Sequence, residues 1–465
     1  APLMLAQGGL TTMGLVDTWV VGRVSTEAMA GVALGNAVAT VFVVVALGVA
    51  MGMEPLCAQA HGAREVERTA WWRRQGVAAT TAVSALMALA NLAVGLLLPV
   101  LAPSSFSDAA SVYLLGRTPG VLFAGMYSAE RSFLTSVGRA RPALYAVAAA
   151  NGVNLMLDVG LVLGLGLGAL GVGLATSASS AAMWGVARAQ SRGSLRGRGG
   201  SVERGGVLRV LELGWPIAAQ MAAEVGIFSG VSALVALEGA VPLAAHQIAL
   251  GLASLTFMAS VGIGVAATAR VGHRLGEGDQ RAARRVGFLA LGLGGGFMAA
   301  GGAVYFVFAE PLAALFAPAA PAVAAKAAVF LRIGALFAVS DGLQAIGAGA
   351  LRGAGDTRST FVLNLVGHFV VGAPVGLGLA LGLGFGAVGY WWGLTAGLTA
   401  TAAGLVLRFA WLMARPVGRV EGDRGSTRKA FAPEPAPVPI SAPVESTAPS
   451  LLGPRQAPRP SPERG

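Results

Sequence analysis

The 465-residue sequence has one cysteine, Cys57, and two lysines, Lys326 and Lys429, beside 31 arginines. A single cysteine excludes a disulfide framework within the chain and a cysteine-rich metal site. The four histidines, His61, His246, His273 and His368, are scattered without ligand spacing. None lies close to a serine, cysteine or acid at a spacing useful to a hydrolase, which argues against a membrane-embedded enzyme and leaves no catalytic residue to name. Charge is also scarce. Charged residues make up 12%, about half the roughly 25% of a soluble domain. Hydrophobic residues make up 55%, and the mean hydropathy is +0.69. A soluble chain of this length has no means of covering so much apolar surface, and a disordered one requires the opposite balance. These exclusions leave a polytopic helical membrane protein.

A helix needs about 20 apolar residues to cross about 30 Å of hydrocarbon. Twelve such runs are present, near 2–22, 30–56, 72–99, 108–130, 141–163, 169–188, 207–236, 243–270, 284–308, 322–350, 359–382 and 386–412. Glycine, with 68 residues, suits close packing of helices in a membrane. The net charge of +11 would suggest nucleic acid on a soluble chain, but the arginines sit in the gaps between apolar runs. Gaps after even-numbered runs, counted with the adjoining run ends, hold 20 basic residues, and those after odd-numbered runs hold two, Arg23 and Lys326. The positive-inside rule therefore places the even gaps and both termini in the cytoplasm. The arginine bias and the Ala/Gly excess suggest a GC-rich bacterial genome, hence a bacterial inner membrane, and no nucleic-acid partner. Residues 1–22 do not read as a signal peptide, since no basic segment leads and Asp17 interrupts the run. Residues 414–465 hold 11 prolines and read as a disordered cytoplasmic tail.

The chain resembles itself at an offset of 214–217. Pro2, Ala30, Gly48 and Gly62 fall on Pro216, Ala244, Gly262 and Gly276; Leu134, Gly138 and Arg141 fall on Leu351, Gly355 and Arg358. Six helices per repeat bring both halves into the membrane from the same side. Two six-helix lobes, 1–188 and 207–413, are expected, related by a pseudo-twofold axis along the membrane normal and joined by a basic cytoplasmic loop, 189–206.

Ionisable residues inside apolar runs are expensive and are functional candidates. Asp17 lies in run 1, Asp158 in run 5 with Asn154 one turn before it, Glu224 in run 7 and Asp341 in run 10. At the repeat offset Asp17, Glu224 and Asp341 fall on Val231, Leu10 and Ala124, so each acid is private to one half, as suits a site rather than shared scaffolding. Such carboxyls can take a proton or exchange it for Na⁺ or an organic cation. The plainer role is an internal ion pair with Arg117 or Arg332. Glu54, Asp108, Glu130, Glu212, Glu238 and Glu310 lie near run ends, where interfacial solvation accounts for them. Thr176 offers a further hydroxyl, though threonine often bonds its own helix. In His246-Gln247 the histidine is expected to be structural and Gln247 to contact substrate. Met13, Trp19, Met221, Phe228 and Met258 suit an adaptable apolar cavity or, more plainly, the bundle core.

These residues sit in recognisable surroundings. Met13-Gly-Leu-Val-Asp17-Thr is followed by Gln59-Ala-His-Gly62-Ala, Ala244-Ala-His-Gln-Ile-Ala249, Arg270-Val-Gly272 and Leu275-Gly-Glu-Gly-Asp279. Asp341-Gly-Leu-Gln344 and Gly349-Ala-Leu-Arg-Gly-Ala-Gly-Asp-Thr357 complete the set. In order and spacing over 2–413 the chain resembles the multidrug and toxic compound extrusion (MATE) family, most closely its NorM-like branch. The resemblance implies an antiporter that exports lipophilic or cationic small molecules against H⁺ or Na⁺, with no other cofactor. It implies a first-lobe cation site at Asp17, Asn154, Asp158 and Thr176, second-lobe acids at Glu224 and Asp341, and substrate contacts at Asp17, Glu224, Gln247 and Asp341. Na⁺ could sit at Asp17/Asp158 or Glu224/Asp341. A tyrosine frequent one turn before the run-10 acid in that branch is Phe337 here, which removes a hydroxyl. A monomer in the lipid bilayer is expected. The alternative within the same superfamily, a flippase for lipid-linked oligosaccharide or lipid II, should line its cleft with arginine or lysine to meet pyrophosphate.

Overall fold

The structure is a computed structural model that describes residues 2–193 and 200–420. Among these residues twelve long helices follow one another: α1 Pro2–Val21, α2 Thr26–Gly62, α3 Val66–Leu101, α4 Ser105–Ser136, α5 Arg141–Gly164, α6 Gly168–Arg192, α7 Arg204–Ala236, α8 Ala240–Gly276, α9 Gln280–Val307, α10 Pro321–Gly353, α11 Thr357–Gly382 and α12 Ala387–Met413. A short helix, Ala309–Phe316, precedes α10. The helices match the twelve apolar runs, and several extend beyond them where the chain leaves the hydrocarbon. Ten are long and apolar enough to cross a membrane by length and composition. The other two are α1 and α4. In α4 the charged residues Arg117 and Glu130 are buried against neighbouring helices, so this span keeps its polarity away from lipid.

Helices α1–α6 pack mainly among themselves, and so do α7–α12. Where the two groups meet, the repeat is visible in the packing. A methyl group on Gly62 of α2 would strike the backbone of His273 in α8; one on Gly276 would strike the backbone of Gln59. Gly62 and Gly276 are repeat mates, and so are Gln59 and His273. The contact therefore maps onto itself, as a pseudo-twofold axis between the lobes requires. Gly48 and Gly52 of α2 likewise admit the backbone of α7 at Ala218 and Gly214. The chain breaks within α2 at Gly52–Met53, where Pro55 opens the next helical turn and has no N–H to continue the ladder.

Polar contacts between the lobes cluster at this basic-loop end. Gln59 Nε2 donates to Gly353 O (3.1 Å), and His273 Nε2 donates to Ser136 O (2.6 Å). Arg352 of α10 lies 3.6 Å from Glu54 Oε2, whose other oxygen accepts from Ser132 Oγ (3.0 Å). Glu54 and Glu130 are thus corrected from the sequence reading. Both are buried rather than solvated, because helix packing covers them and arginines neutralise them. Glu130 pairs with Arg73 (2.8 Å) and Arg188 (2.9 Å).

One segment also differs from expectation. Residues 414–420, read as the start of a disordered tail, run back across the lobe junction. Val420 N donates to Gln59 Oε1 (2.8 Å), Val420 O accepts from Arg209 Nη2 (2.6 Å), and Arg419 pairs with Glu65 (2.9 Å). The backbone groups of 420 find partners on both lobes, which holds the segment down. In the inter-lobe loop, Ser201 O accepts from Gln75 Nε2 and Glu203 N donates to Gln75 Oε1, each at 2.9 Å. Residues 194–199 of that loop and 421–465 of the tail lie outside the described residues.

Candidate functional site

A cavity of about 420 Å³ opens in the second lobe, facing α2 of the first. Its acids come from two helices, Glu224 from α7 and Asp341 from α10, each just past the middle of its helix. Helical spacing supplies their companions. Gln220 stands four residues before Glu224 and Gln344 three after Asp341, on the same faces. Gln220 Nε2 donates to Glu224 Oε1 (3.1 Å), and Gln344 Nε2 and Asn364 Nδ2 of α11 donate to the same oxygen. Three amides hold Oε1, and Oε2 takes none of them. Asp341 has no hydrogen-bond donor among the described residues. The remaining wall is mainly apolar and adaptable, with Met221, Phe228, Phe257, Met258 and Phe337 beside the hydroxyls of Ser229 and Ser254, and it includes no arginine or lysine. Phe228 and Phe337 meet edge to face at 6.1 Å, and Phe337 leans on Trp391 at 5.5 Å. Rigid rings thus form one side of the cavity.

The first lobe holds the second polar cluster. Asp17 of α1, buried within the membrane span, accepts from Asn154 Nδ2 at Oδ1 (2.9 Å) and from Thr176 Oγ1 at Oδ2 (3.2 Å). Thr176 Oγ1 also lies 2.8 Å from Val172 O of its own helix. One hydroxyl proton serves one acceptor at a time, and the shorter contact is the local one. Asp158 lies beside Asp17 and begins a π-helical stretch, Asp158–Gly164, the kind of local widening often found at functional positions. It is fully buried, and neither of its carboxyl oxygens nor Asn154 Oδ1 has a partner among the described residues. Buried acceptors left open in this way call for a proton or a cation.

Comparison with known proteins places this architecture. The model of the family described as MatE matches residues 2–159 and 216–377, one segment in each lobe. The chain belongs to the MatE family. Its relatives are transporters, not enzymes. The multidrug resistance protein NorM of Burkholderia vietnamiensis is 35% identical over 431 residues, covering 88% of this chain and 92% of that protein. A probable multidrug resistance protein NorM of Bradyrhizobium diazoefficiens is 36% identical, covering 90% and 93%. Among solved structures, the eukaryotic MATE transporter AtDTX14 superposes with a TM-score of 0.80 at 20% identity, over 88% of this chain and 93% of that one. A MOP superfamily transporter from Pyrococcus furiosus, titled for the reverse polarity of its binding pocket and a suggested different function, gives 0.80 at 19% identity, over 89% and 95%. The MatE fold therefore leaves the character of the pocket to its lining residues.

In this MatE chain the expected residues fall into two groups, one in each lobe. Asp17, Asn154, Asp158 and Thr176 come together in the first lobe, and Glu224 and Asp341 in the second. Gln247 joins neither. It is exposed on α8, three residues before Leu250 and seven before Ser254, both cavity residues, and so lies along the same helical face beyond the cavity wall. His246 is structural, with Nε2 2.9 Å from Ser232 Oγ and its ring against Trp391. Of the apolar candidates, Met221, Phe228 and Met258 line the cavity. Met13 is in the first-lobe core, and Trp19 is exposed with Arg23 over its ring at 4.0 Å. The ion pairs considered for Arg117 and Arg332 are not formed with these acids. Arg332 pairs with Glu310, and Arg117 Nη1 reaches Ser180 Oγ (3.4 Å). Sequence reasoning missed Gln220, Gln344 and Asn364. Helical spacing could have found the first two.

Proposed function

We propose that the chain is a secondary multidrug efflux transporter. It exports lipophilic or cationic small molecules in antiport with H⁺ or Na⁺, in a bacterial inner membrane, with both described ends of the chain on the cytoplasmic side. One observation carries this reading: a membrane-embedded cavity of aromatic and methionine side chains whose charged lining residues are Glu224 and Asp341, without a basic lining residue. Apolar walls accept varied shapes, and uncompensated carboxylates select positive charge. The curated NorM relatives, multidrug resistance proteins by name, support it. The same lining argues against pyrophosphate-bearing lipids and hence against the flippase alternative.

Transport follows by alternating access. The lobes are joined at the basic-loop end, which the positive-inside rule assigns to the cytoplasm. With the lobes joined at that end, access to the cavity comes from the opposite side. The coupling ion enters from outside and takes up Asp17 and Asp158, where open acceptor oxygens await it, or Glu224 and Asp341. Occupancy there lowers affinity for the drug by direct competition or by favouring the other state of the lobes. Opening the junction around Gly62 and Gly276 releases the ion inward and admits the next substrate.

The test is ethidium accumulation in cells expressing the chain. Wild type is expected to lower accumulation, and Glu224→Gln and Asp341→Asn, present at equal levels in the membrane, to abolish that effect. Equal accumulation with and without the chain removes the reading.

A further inference from the structure

A cavity of about 460 Å³ lies in the first lobe between α3 and α6, at the basic-loop end. Arg73 and Arg74 of α3 and Arg188 and Arg192 of α6 line it, with Val77 and Ala78 one turn further along α3. No acid lines it among the described residues. Glu130, fully buried and not among its walls, pairs with Arg73 and Arg188 and offsets one of the four charges. The other three are in excess. Like charges gathered around one cavity repel one another, and a topology signal needs arginines in loops, not a chamber lined by them. The guanidinium groups also keep free donors. Arg73 uses Nε and Nη2 on Glu130 and Ser191, Arg188 uses Nη1 on Glu130, and Arg74 Nη1 donates to Gly200 O. Arg73 Nη1 and Arg188 Nη2 take no partner among the described residues, and both keep accessible surface. Arg192 is exposed and pairs with nothing among the described residues.

The position of the cavity says what kind of anion suits it. Apolar run 3 begins at 72 and run 6 ends at 188, so the arginines stand where hydrocarbon gives way to headgroups. Trp184 lies one turn inside, with Arg188 over its ring at 5.8 Å. Beyond Arg74 the same face of α3 turns wholly apolar. Ala78, Ala82, Leu86 and Leu89 follow it at helical spacing, and the two leucines are 60% and 63% exposed. Exposed leucines within a membrane span face lipid. We infer that this cavity holds the phosphate of an anionic phospholipid, whose acyl chains lie along the apolar face of α3. Guanidinium groups pair with phosphate oxygens through two hydrogen bonds at once, and basic pockets between membrane helices on the cytoplasmic side suit such headgroups. A zwitterionic headgroup brings an ammonium among the same arginines and gains less. Free phosphate offers the oxyanion but leaves Val77, Ala78 and the leucines uncovered. The site lies in the other lobe from the cavity of Glu224 and Asp341, so it is independent of the efflux reading.

Native mass spectrometry of the full chain in detergent tests it. The probe is dioleoylphosphatidylglycerol, with dioleoylphosphatidylcholine as the zwitterionic comparison and inorganic phosphate as the free anion. Phosphatidylglycerol is expected to bind at least about tenfold tighter than phosphatidylcholine, and inorganic phosphate at the same concentration to displace none of it. Arg192→Gln and Arg74→Gln should each weaken phosphatidylglycerol about fivefold, the worth of one arginine beside an anionic headgroup. Neither arginine pairs with Glu130, so both variants keep that buried pair. Ala78→Phe fills the apolar part of the cavity and should weaken the lipid at least about threefold. Arg281→Gln removes an equal charge from an exposed position on α9 at the same end of the molecule and should bind as wild type does. Equal affinity for the two lipids overturns the proposal. So does a loss in Arg281→Gln as large as in Arg192→Gln and Arg74→Gln, because the arginines then act only as diffuse charge. Displacement of phosphatidylglycerol by inorganic phosphate at equal concentration overturns it as well, since the site is then one for a free anion.

Discussion

Replacing Glu224 with glutamine keeps the shape of the second-lobe site and removes one charge. The carbonyl oxygen of the new side chain still accepts from Gln220, Gln344 and Asn364, so the three-amide cradle is weakened but retains its acceptor. The cavity wall has no arginine or lysine, and Arg352, whose charge reaches Glu224, is already paired with Glu54. A lipophilic cation such as tetraphenylphosphonium brings its charge to about 6 Å of that group. At an effective dielectric constant of about 20, this is worth about 3 kcal/mol, or roughly a hundredfold in affinity. Titration calorimetry on the detergent-solubilised protein should therefore show Kd rising roughly a hundredfold in Glu224→Gln. Glu310→Gln, which breaks only the exposed pair with Arg332, should leave Kd unchanged. A Kd for Glu224→Gln within about twofold of wild type would refute the assignment of this carboxylate to cation binding.

Three further outcomes are expected. Glu130→Ala strands Arg73 and Arg188 in the first lobe and should cost about 3–5 kcal/mol; an unaltered unfolding temperature in detergent would contradict it. Gly62→Leu inserts a side chain into the backbone of His273 and should hold the lobes apart at the basic end. Spin labels at Arg139→Cys and Glu277→Cys should then move apart by several Å in double electron–electron resonance (order of magnitude of one side chain), and an unchanged distribution would exclude a closing role for this contact. Asn154→Ala removes the closer donor to Asp17 and should raise the coupling-ion concentration for half-maximal transport about tenfold. Thr176→Val should change it less than about threefold, since its hydroxyl lies nearer Val172 O, and the opposite order would overturn this ranking.

The acids were legible in the sequence because a carboxylate within an apolar run stands out on energetic grounds alone. Asp17, Asp158, Glu224 and Asp341 needed no structure to be noticed, and the apolar runs supplied the twelve spans. The groups that hold those acids were less visible. Gln220 and Gln344 follow from helical spacing, but Asn364 reaches Glu224 from 140 residues away, and only the packing of α11 on α7 makes that contact. Glu54 was misread for the same reason. Near the end of an apolar run it looks solvated, yet Arg352, far away in the chain, closes over it from the other lobe. Residues 414–420 have the composition of a tail and are held by Gln59, Glu65 and Arg209, which no local pattern announces. Burial between lobes is a property of tertiary packing, and one-dimensional patterns record it weakly.

Coupled export is the central claim, and ethidium movement in proteoliposomes tests it most directly, with a pH gradient and a Na⁺ gradient imposed separately on wild type, Asp17→Asn and Asp341→Asn. The account predicts that at least one gradient drives ethidium against its own gradient in wild type and that both variants lose this drive. Ethidium movement indifferent to both gradients, or unimpaired in both variants, would contradict it.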